Sequence, residues 1–550
     1  MSRRRASGAG LLCILLLAAL APDLAGEGLA WQQLHALTGE ERPLAQLRGM
    51  VELAGNLTRL QPDTRPSTAI AHTHVSPYGV NVFLEQEVEP EKRARSLELV
   101  AGAGFRWIRQ QFPWEDIEIH GRGDFEDRRN LDITGAISAW DKYDDIVALS
   151  EQHDLEILAR LDNPPAWSRA DAAAGDQAPP DDLEDFASYI RAVAERYRGR
   201  IRYWQVWNEP NIYPEWGNRD VDPEAYTQLL CRGYTALKAV DPANVVVSGA
   251  LAPTIAMSGR NLNDYVFLER MYAAGAAGCF DVMAAQGYGF NSGPQDRRMR
   301  PTQFNFAHNL YIRDLMVAHG DAHKPIWLTE VAWNPIDAPD VPPEVSGRAN
   351  YGVVTQEQAA RYLPGAWRRA QEEWPWTGVL FYWFLKRPGE GERNQSWYYF
   401  RMLEPDFTPL PVYESAKRHI AEEIPTLYPG VHQAESWEIQ AGNALLRAHP
   451  DAQFGELLEA GELNFRARGT QVWARVLRGS GWERLQLAQS ALTETHDIRL
   501  SDGDGAILRV DSITVSDRTW ATLYGPLAAL LTGASMLLWV LFDALRLRRR

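Results

Sequence analysis

Cysteine is scarce in this sequence of 550 residues. Cys13, Cys231 and Cys279 are its three cysteines, which excludes a disulfide-rich scaffold and any zinc or iron–sulfur site with four cysteine ligands. Positive charge is also in short supply, since 56 Lys and Arg stand against 72 Asp and Glu and give a formal net charge of −16. Proteins that bind nucleic acid usually carry a basic face, so that function is disfavoured. The sequence predicts no cofactor and no metal site.

Aromatic residues, by contrast, are plentiful. The chain contains 20 Trp and 20 Tyr, and its 45% hydrophobic and 23% charged residues are close to the average of globular proteins. A length of 550 residues exceeds what one hydrophobic core supports, so two to four domains are expected. Many aromatic side chains on an acidic chain suit a surface that stacks on sugar rings, although most tryptophans in any protein belong to the core.

The N-terminus has the pattern of a secretory signal. Arg3, Arg4 and Arg5 precede the apolar run 11–20, and the small residues Ala21 and Ala25 follow it. A basic start, a short apolar segment and small residues at the end are the three parts of a cleavable leader. We therefore interpret residues 1–26 as a signal peptide.

The C-terminus has the pattern of a membrane anchor. Residues 519–542 contain no charge, and four arginines lie in the tail 543–550. About 20 apolar residues suffice to cross a bilayer, and flanking arginines favour the cytoplasmic side. The sequence therefore predicts a single-pass protein of the cell membrane whose main body lies outside the cytoplasm. Because the two ends carry five net positive charges, that body has a net charge of −21.

Residues 75–425 alternate between short apolar runs and longer amphipathic ones. Eight such runs are predicted as strands, and the stretches between them as helices. Eight strands that alternate with helices favour an α/β fold, namely a (β/α)₈ TIM barrel. An open doubly wound sheet is the alternative. It is disfavoured because no Gly-rich phosphate loop follows the first strand. The strands are expected at 79–84, 105–110, 155–161, 203–207, 244–250, 281–286, 325–328 and 378–384.

The segments on either side of the barrel differ in texture. Residues 27–74 show no clear period and are treated as a lead-in that packs on the outside of the barrel. Residues 435–518 alternate apolar and polar positions, with Gly469, Gly479 and Gly481 between the runs. That pattern predicts a small antiparallel β-sandwich, acting either as a glycan-binding module or as a spacer.

Two strings carry the chemistry of the barrel. Tyr203–Asn211 (YWQVWNEPN) delivers Glu209 at the end of the fourth strand, and strand alternation places Gln205, Trp207 and Glu209 on one face. The string 325–333 (PIWLTEVAW) delivers Glu330 at the end of the seventh strand. TIM-barrel enzymes keep their active sites at the carboxyl ends of the strands. Two carboxylates that converge there are the equipment for cleaving a glycosidic bond.

These two strings resemble the strand-four and strand-seven signatures of glycoside hydrolase clan A, nearest to family 39 and its cellulase-like relatives. The resemblance implies a retaining glycosidase with Glu209 as acid/base, Glu330 as nucleophile and Asn208 as partner of the sugar 2-hydroxyl. It further implies substrate-binding roles for Arg109, Tyr288 and Trp383. The clan has a histidine where this chain has Gln286, which changes the proton network beside the acid/base.

Several residues keep two interpretations. Five aromatic residues lie just beyond strand ends, where they form either sugar platforms or core: Trp167, Tyr213, Trp216, Trp333 and Trp397. Cys231 and Cys279 either pair in an exported chain or, as we expect because they belong to separate units, remain unpaired in the core.

Three functions fit this sequence. The first is a membrane-anchored retaining glycoside hydrolase that cleaves a poly- or oligosaccharide. The second is a transglycosylase that uses the same covalent intermediate. The third is a catalytically silent polysaccharide-binding protein, which the presence of both carboxylates disfavours.

Overall fold

The computed structural model describes residues 24, 26–56, 59–299, 302, 304–339, 341–501 and 507–517. The predicted span 519–542, the tail after it, and all of the predicted leader except residues 24 and 26 lie outside these ranges. Within the described ranges, no helix has the length and apolar character needed to cross a bilayer. The chain divides into two compact units, one of residues 1–65 and 75–423 and one of residues 66–74 and 424–550.

The larger unit contains a parallel sheet of eight strands in the order β5-β4-β3-β2-β1-β8-β7-β6. Two further parallel bridges, Val247 to Val282 and Leu251 to Ala285, link the chain at β5 to the chain at β6, so the ring is nearly closed. The predicted barrel is therefore confirmed. Its strands are β1 (Tyr78–Val82), β2 (Trp107–Pro113), β3 (Glu156–Asp162), β4 (Tyr203–Val206), β5 (Val245–Val247), β6 (Met283–Gln286), β7 (Ile326–Val331) and β8 (Thr377–Tyr382).

Helices lie between the strands, and their starts follow local sequence signals. The side chain of Asp182 accepts a hydrogen bond from the backbone of Glu184, and Thr355 forms a reciprocal capping box with Gln358. The described helices are α1 (Leu29–Thr38), α2 (Pro43–Asn56), α3 (Pro90–Gly102), α4 (Trp114–Ile117), α5 (Leu131–Thr134), α6 (Asp141–Gln152), α7 (Leu183–Arg196), α8 (Pro223–Val240), α9 (Asp264–Ala273), α10 (Asn309–Ala318), α11 (Gln356–Glu373) and α12 (Pro411–Glu422).

The lead-in forms α1 and α2, and a buried arginine holds both helices on the barrel. Arg298 donates to Glu40 at 2.8 Å, to Glu52 at 3.3 Å and to Asp296 at 2.7 Å. A buried arginine needs such partners, since an unpaired charge in the interior is costly. The lead-in up to residue 65 thus belongs to the barrel unit, whereas residues 66–74 belong to the smaller unit.

Aromatic rings fill the barrel interior below the site. The rings of Trp107, Tyr203 and Trp327 lie 4.9 to 5.2 Å apart, centroid to centroid. On β2 and β4 the next inward residues are Arg109 and Gln205, because side chains two apart share a strand face. The aromatic layer therefore supports a polar layer directly above it.

The smaller unit is an antiparallel sheet. Its seven described strands belong to one hydrogen-bonded sheet, so the predicted two-sheet sandwich is wrong in that respect. Their apolar side chains enclose a separate core that includes Leu463, Val472, Val510 and Ile513. The strands are β9 (Gly430–Gln433), β10 (Gln440–Gly442), β11 (Leu445–Ala448), β12 (Glu456–Ala460), β13 (Glu462–Arg478), β14 (Gly481–Ser501) and β15 (Leu508–Ser516).

Gly469 does not mark a turn, as the sequence suggested, but lies inside the 17-residue strand β13. A side chain at this position would approach Val515 to 2.8 Å and the Ser516 carbonyl to 2.9 Å. Glycine is needed there because β15 passes so close, and the pairing of β13 with β14 shifts at the same point. Gly479, in contrast, forms the expected turn between β13 and β14, with φ of 60°.

Cys231 and Cys279 form a disulfide with a Cα–Cα distance of 4.7 Å. The expectation of two unpaired core residues is therefore wrong. Cys231 lies on α8, and the turn that carries Cys279 packs against this helix, so the barrel brings together residues 48 positions apart.

Candidate active site

A backbone break at the end of β4 presents two neighbouring side chains to the barrel mouth. Trp207 has φ of 76°, a value rare for residues other than glycine. Its indole packs against Phe186 and Trp216 outside the barrel rather than on the face of Gln205. The predicted alternation is thus interrupted at Trp207, and Asn208 and Glu209 both line the mouth. Strain of this kind is commonly found at functional sites.

A bulge in β7 directs Glu330 to the same place. Ala285 of β6 pairs with Leu328, but the next residue, Gln286, pairs with Glu330, so β7 contains one extra residue. A β-bulge re-aims the side chains that follow it. In a regular strand, side chains on the same face are two positions apart. Because of the bulge, Glu330 faces the mouth three positions after Trp327, which faces the barrel interior.

Arg109 organises the polar layer between the two carboxylates. Its guanidinium, 2% exposed, donates to Glu330 at 3.0 Å and to Asn208 at 2.6 Å. Further hydrogen bonds reach Gln205 at 2.7 Å and Asn81 at 2.9 Å. Burial lowers the pKa of Arg109 to about 10, so the group remains a cation at neutral pH. Arg109, to which the resemblance gave a substrate-binding role, therefore contacts Glu330 directly.

Tyr288 holds the other oxygen of Glu330. The phenol donates to Glu330 Oε2 at 2.6 Å, while Arg109 donates to Oε1. Burial and the charge of Glu330 raise the pKa of Tyr288 well above 10, so the tyrosine keeps its proton. Each oxygen of Glu330 thus accepts a hydrogen bond, one from a cation and the other from a neutral phenol.

Glu209 has a different environment. Gln286 Nε2 donates to Glu209 Oε1 at 2.7 Å, and Thr329 donates to Gln286 Oε1 at 3.2 Å. Burial, followed by the negative charges of Glu330 and Glu215, raises the pKa of Glu209 well above its usual value. The two carboxyl groups therefore have different environments, since the pKa of Glu209 is raised while Glu330 is paired with a cation.

Both groups lie in one open cleft of about 760 Å³. Trp383 and Trp397 are among its aromatic lining residues. The aromatic lining also includes Phe83, Phe290 and Tyr351, which the sequence did not single out. Aromatic walls with a few converging polar groups are typical of a small-molecule or sugar site.

Trp333 is not a sugar platform. Its indole is 1% exposed, donates to the Ser292 carbonyl at 2.6 Å and packs against Tyr362. A side chain on Gly289 would meet this ring at 1.9 Å, so the loop after β6 lies directly on it. Of the other suggested platforms, Trp216 is buried, and neither Trp167 nor Tyr213 lines the cleft.

Three charged residues of the cleft escaped the sequence analysis: Arg160 on β3, Glu215 after β4 and Arg387 after β8. Glu215 accepts a hydrogen bond from Asn208, and burial raises its pKa to about 7. Arg160 pairs with Asp162 at 2.8 Å, and Arg387 pairs with Glu392 at 2.9 Å. No sequence motif surrounds these three residues, so their place in the cleft is visible only in the fold.

Gln286 should lower the pKa of Glu209. Its N–H stabilises ionised Glu209, so Gln286→Met should raise the pKa of Glu209 further. The protonated form then persists to higher pH, and the titration of Glu209, followed by NMR of its labelled carboxyl carbon, should move up by about one pH unit. Thr329→Val removes only the hydrogen bond that positions Gln286 and should shift this titration less. A downward shift in Gln286→Met would contradict the hydrogen-bond assignment.

No family model matches the chain, and no curated protein sequence matches it either. Solved structures do resemble it. A family 39 glycoside hydrolase from the gut symbiont Bacteroides cellulosilyticus WH2 matches with 15% identity and a TM-score of 0.47, covering 81% of this chain and 83% of its own. A family 39 β-xylosidase from Caulobacter crescentus matches with 15% identity and a TM-score of 0.45, covering 82% of this chain and 99% of its own.

A family 5 enzyme of subfamily 18 from Streptomyces cattleya, in complex with GlcNAc, matches with 18% identity and a TM-score of 0.46. It covers 64% of this chain and 83% of its own. All three are glycoside hydrolases. At these identities the likeness concerns the fold alone.

Proposed function

We propose that this protein is a retaining glycoside hydrolase that acts on a poly- or oligosaccharide. The observation that carries the proposal is the asymmetry of the two carboxyl groups. Glu330 receives hydrogen bonds from a cation and a phenol, whereas burial and neighbouring charge keep Glu209 protonated. A retaining mechanism needs one ionised nucleophile and one acid, and it needs them to differ before the sugar arrives.

In the first step Glu330 attacks the anomeric carbon, and Glu209 gives its proton to the leaving oxygen. The glycosidic bond breaks, and an ester bond forms between the sugar and Glu330. The negative charge of Glu330 is one cause of the raised pKa of Glu209, and esterification removes that charge. The pKa of Glu209 should therefore fall just when Glu209 must accept a proton from the incoming water.

The surrounding residues position these groups. Arg109 joins Glu330 and Asn208, so the nucleophile and the partner of the sugar 2-hydroxyl are fixed together. Trp383 and Trp397 offer aromatic surfaces on which a sugar ring can stack. The open cleft leaves room for several sugar units, which favours an oligomeric substrate.

The test is to incubate the purified chain with a panel of aryl glycosides and polysaccharides and to follow the anomeric configuration of the first product by NMR. Retained configuration supports the proposal. Inverted configuration, or binding without turnover on every substrate, would overturn it.

We further propose that the enzyme is anchored in the cell membrane with its catalytic body outside the cytoplasm. The leader pattern of 1–26, the uncharged run 519–542 and the arginines after it support this topology. The disulfide between Cys231 and Cys279 supports it independently, because such bonds persist in oxidising compartments. Protease added to intact cells should digest the barrel; a barrel accessible only in inverted vesicles would refute the orientation.

A further inference from the structure

The smaller unit has a second concave site, of about 380 Å³, on the outer face of its sheet. Ala474 and Val476 of β13 point into the core of this unit and are buried. Trp473 and Arg475 alternate with them and therefore lie on the opposite face. The hairpin partner β14 adds Trp482, Arg484 and Glu483, whose carboxylate pairs with Arg478 at 3.5 Å. Strand β15 adds Ser512 and Thr514.

Each arginine of this site stacks on a tryptophan. The guanidinium carbon of Arg475 lies 3.8 Å from the ring centroid of Trp482, and that of Arg484 lies 4.5 Å from that of Trp473. Cation–π contacts of this kind hold the side chains in fixed orientations. The site is therefore organised without a ligand.

The two arginines face each other directly across the hairpin, and only one of them is neutralised. Arg475 and Arg484 are register partners, an arrangement that destabilises a sheet when both charges are free. Arg475 forms an ion pair with Asp511, which is 1% exposed and also accepts from the Gln453 backbone at 2.9 Å. Arg484 pairs with no carboxylate in the described part of the chain. Its guanidinium contacts the Trp473 ring but is not neutralised by a carboxylate of the described residues.

Further donors surround the charge of Arg484. Within the described residues, the indole N–H groups of Trp473 and Trp482 have no protein acceptor, although both side chains are half-buried. A tryptophan that is largely buried usually finds a partner for its N–H. The side chains of Trp473, Trp482 and Arg484 therefore line one concavity together with Thr514. The buried Ser512 hydroxyl, in contrast, already donates to Gln453 Oε1 at 2.5 Å.

We propose that this concavity binds an acidic saccharide, with the sugar ring against the tryptophans and a carboxylate on Arg484. The guanidinium fork matches a carboxylate in geometry and charge, and the volume suits about one or two sugar rings. A membrane headgroup site would need several clustered basic residues, whereas this site has one uncompensated arginine. The proposal does not depend on the catalytic one.

The experiment measures binding of galacturonic acid oligosaccharides to the full chain by calorimetry at 0.15 M salt, where the charge of the remaining protein is largely screened. Arg484→Gln should weaken binding at least about tenfold. Trp473→Ala should do the same. Neutral galacto-oligosaccharides should bind the wild type more weakly than the acidic ones.

Arg468→Gln is the matched control, since Arg468 is exposed on the paired strand β13, outside the concavity, and its loss changes the net charge equally. It should leave binding within about twofold. All three variants should keep the unfolding temperature and the activity on aryl glycosides, which separates this test from that of the catalytic site. Equal losses of affinity for the acidic oligosaccharide in Arg484→Gln and Arg468→Gln would overturn the proposal, and so would the absence of binding by the wild type. Arg484-dependent binding to phosphatidylglycerol vesicles without binding of the acidic sugar would also overturn it.

Discussion

Replacing Glu330 with glutamine is expected to lower kcat/KM by about four orders of magnitude or more on every substrate. The amide keeps the size of the side chain but cannot form the covalent ester. The native carboxylate accepts hydrogen bonds from Arg109 at 3.0 Å and from Tyr288 at 2.6 Å. The amide would place its own N–H group against one of these two donors. Initial rates on aryl glycosides with good leaving groups would measure the loss.

The same amide substitution at Glu215 serves as the control. Glu215 lines the same cleft and contacts Asn208, but it has no covalent role in the proposed mechanism. Glu215→Gln should cost at most about tenfold. Azide adds a second criterion, because azide that replaces the nucleophile in Glu330→Ala should give a glycosyl azide of inverted configuration. A Glu330→Gln variant as active as Glu215→Gln would show that Glu330 is not the nucleophile.

Replacing Glu209 with alanine is expected to divide substrates by their leaving groups. Glycosides with poor leaving groups need the proton of Glu209 and should react about 10² to 10⁴ times more slowly. Dinitrophenyl glycosides need no proton, so the glycosyl-enzyme should form in a rapid burst and then persist, because no base activates water. Stopped-flow measurement of phenolate release would show this burst.

Azide should release the trapped sugar from Glu209→Ala with retained configuration, since it needs no general base and attacks the ester on Glu330. The opposite configurations from the Glu209 and Glu330 variants would together assign the two roles. Equal impairment of Glu209→Ala on good and poor leaving groups would contradict the assignment of Glu209 as the acid.

The barrel and its two carboxylates were predictable because both depend on local patterns. Apolar runs at regular spacing mark parallel strands, and the described strands lie within a few residues of the predicted ones. The ends of strands four and seven fix Glu209 and Glu330 at the same rim.

The errors concern features that depend on distant parts of the chain. Trp333 follows a strand end like a platform residue, but the loop at Gly289 covers it. Gly469 resembles a turn because nothing local reveals that β15 passes within contact distance. The disulfide requires α8 to meet a turn 48 residues later, and Glu215 reaches Asn208 only through the loop after β4. Sequence periodicity contains no information on such contacts.

The bond between Cys231 and Cys279 also makes the protein convenient for reporter chemistry. The structure pairs two of the three cysteines, and the third, Cys13, lies in the segment interpreted as a leader. A chain without that segment would contain no reactive thiol. A cysteine introduced at the exposed position 468, for instance, would then be the single target for a maleimide dye. Ligand binding by the same hairpin could then be followed by fluorescence without removing either cysteine of the disulfide.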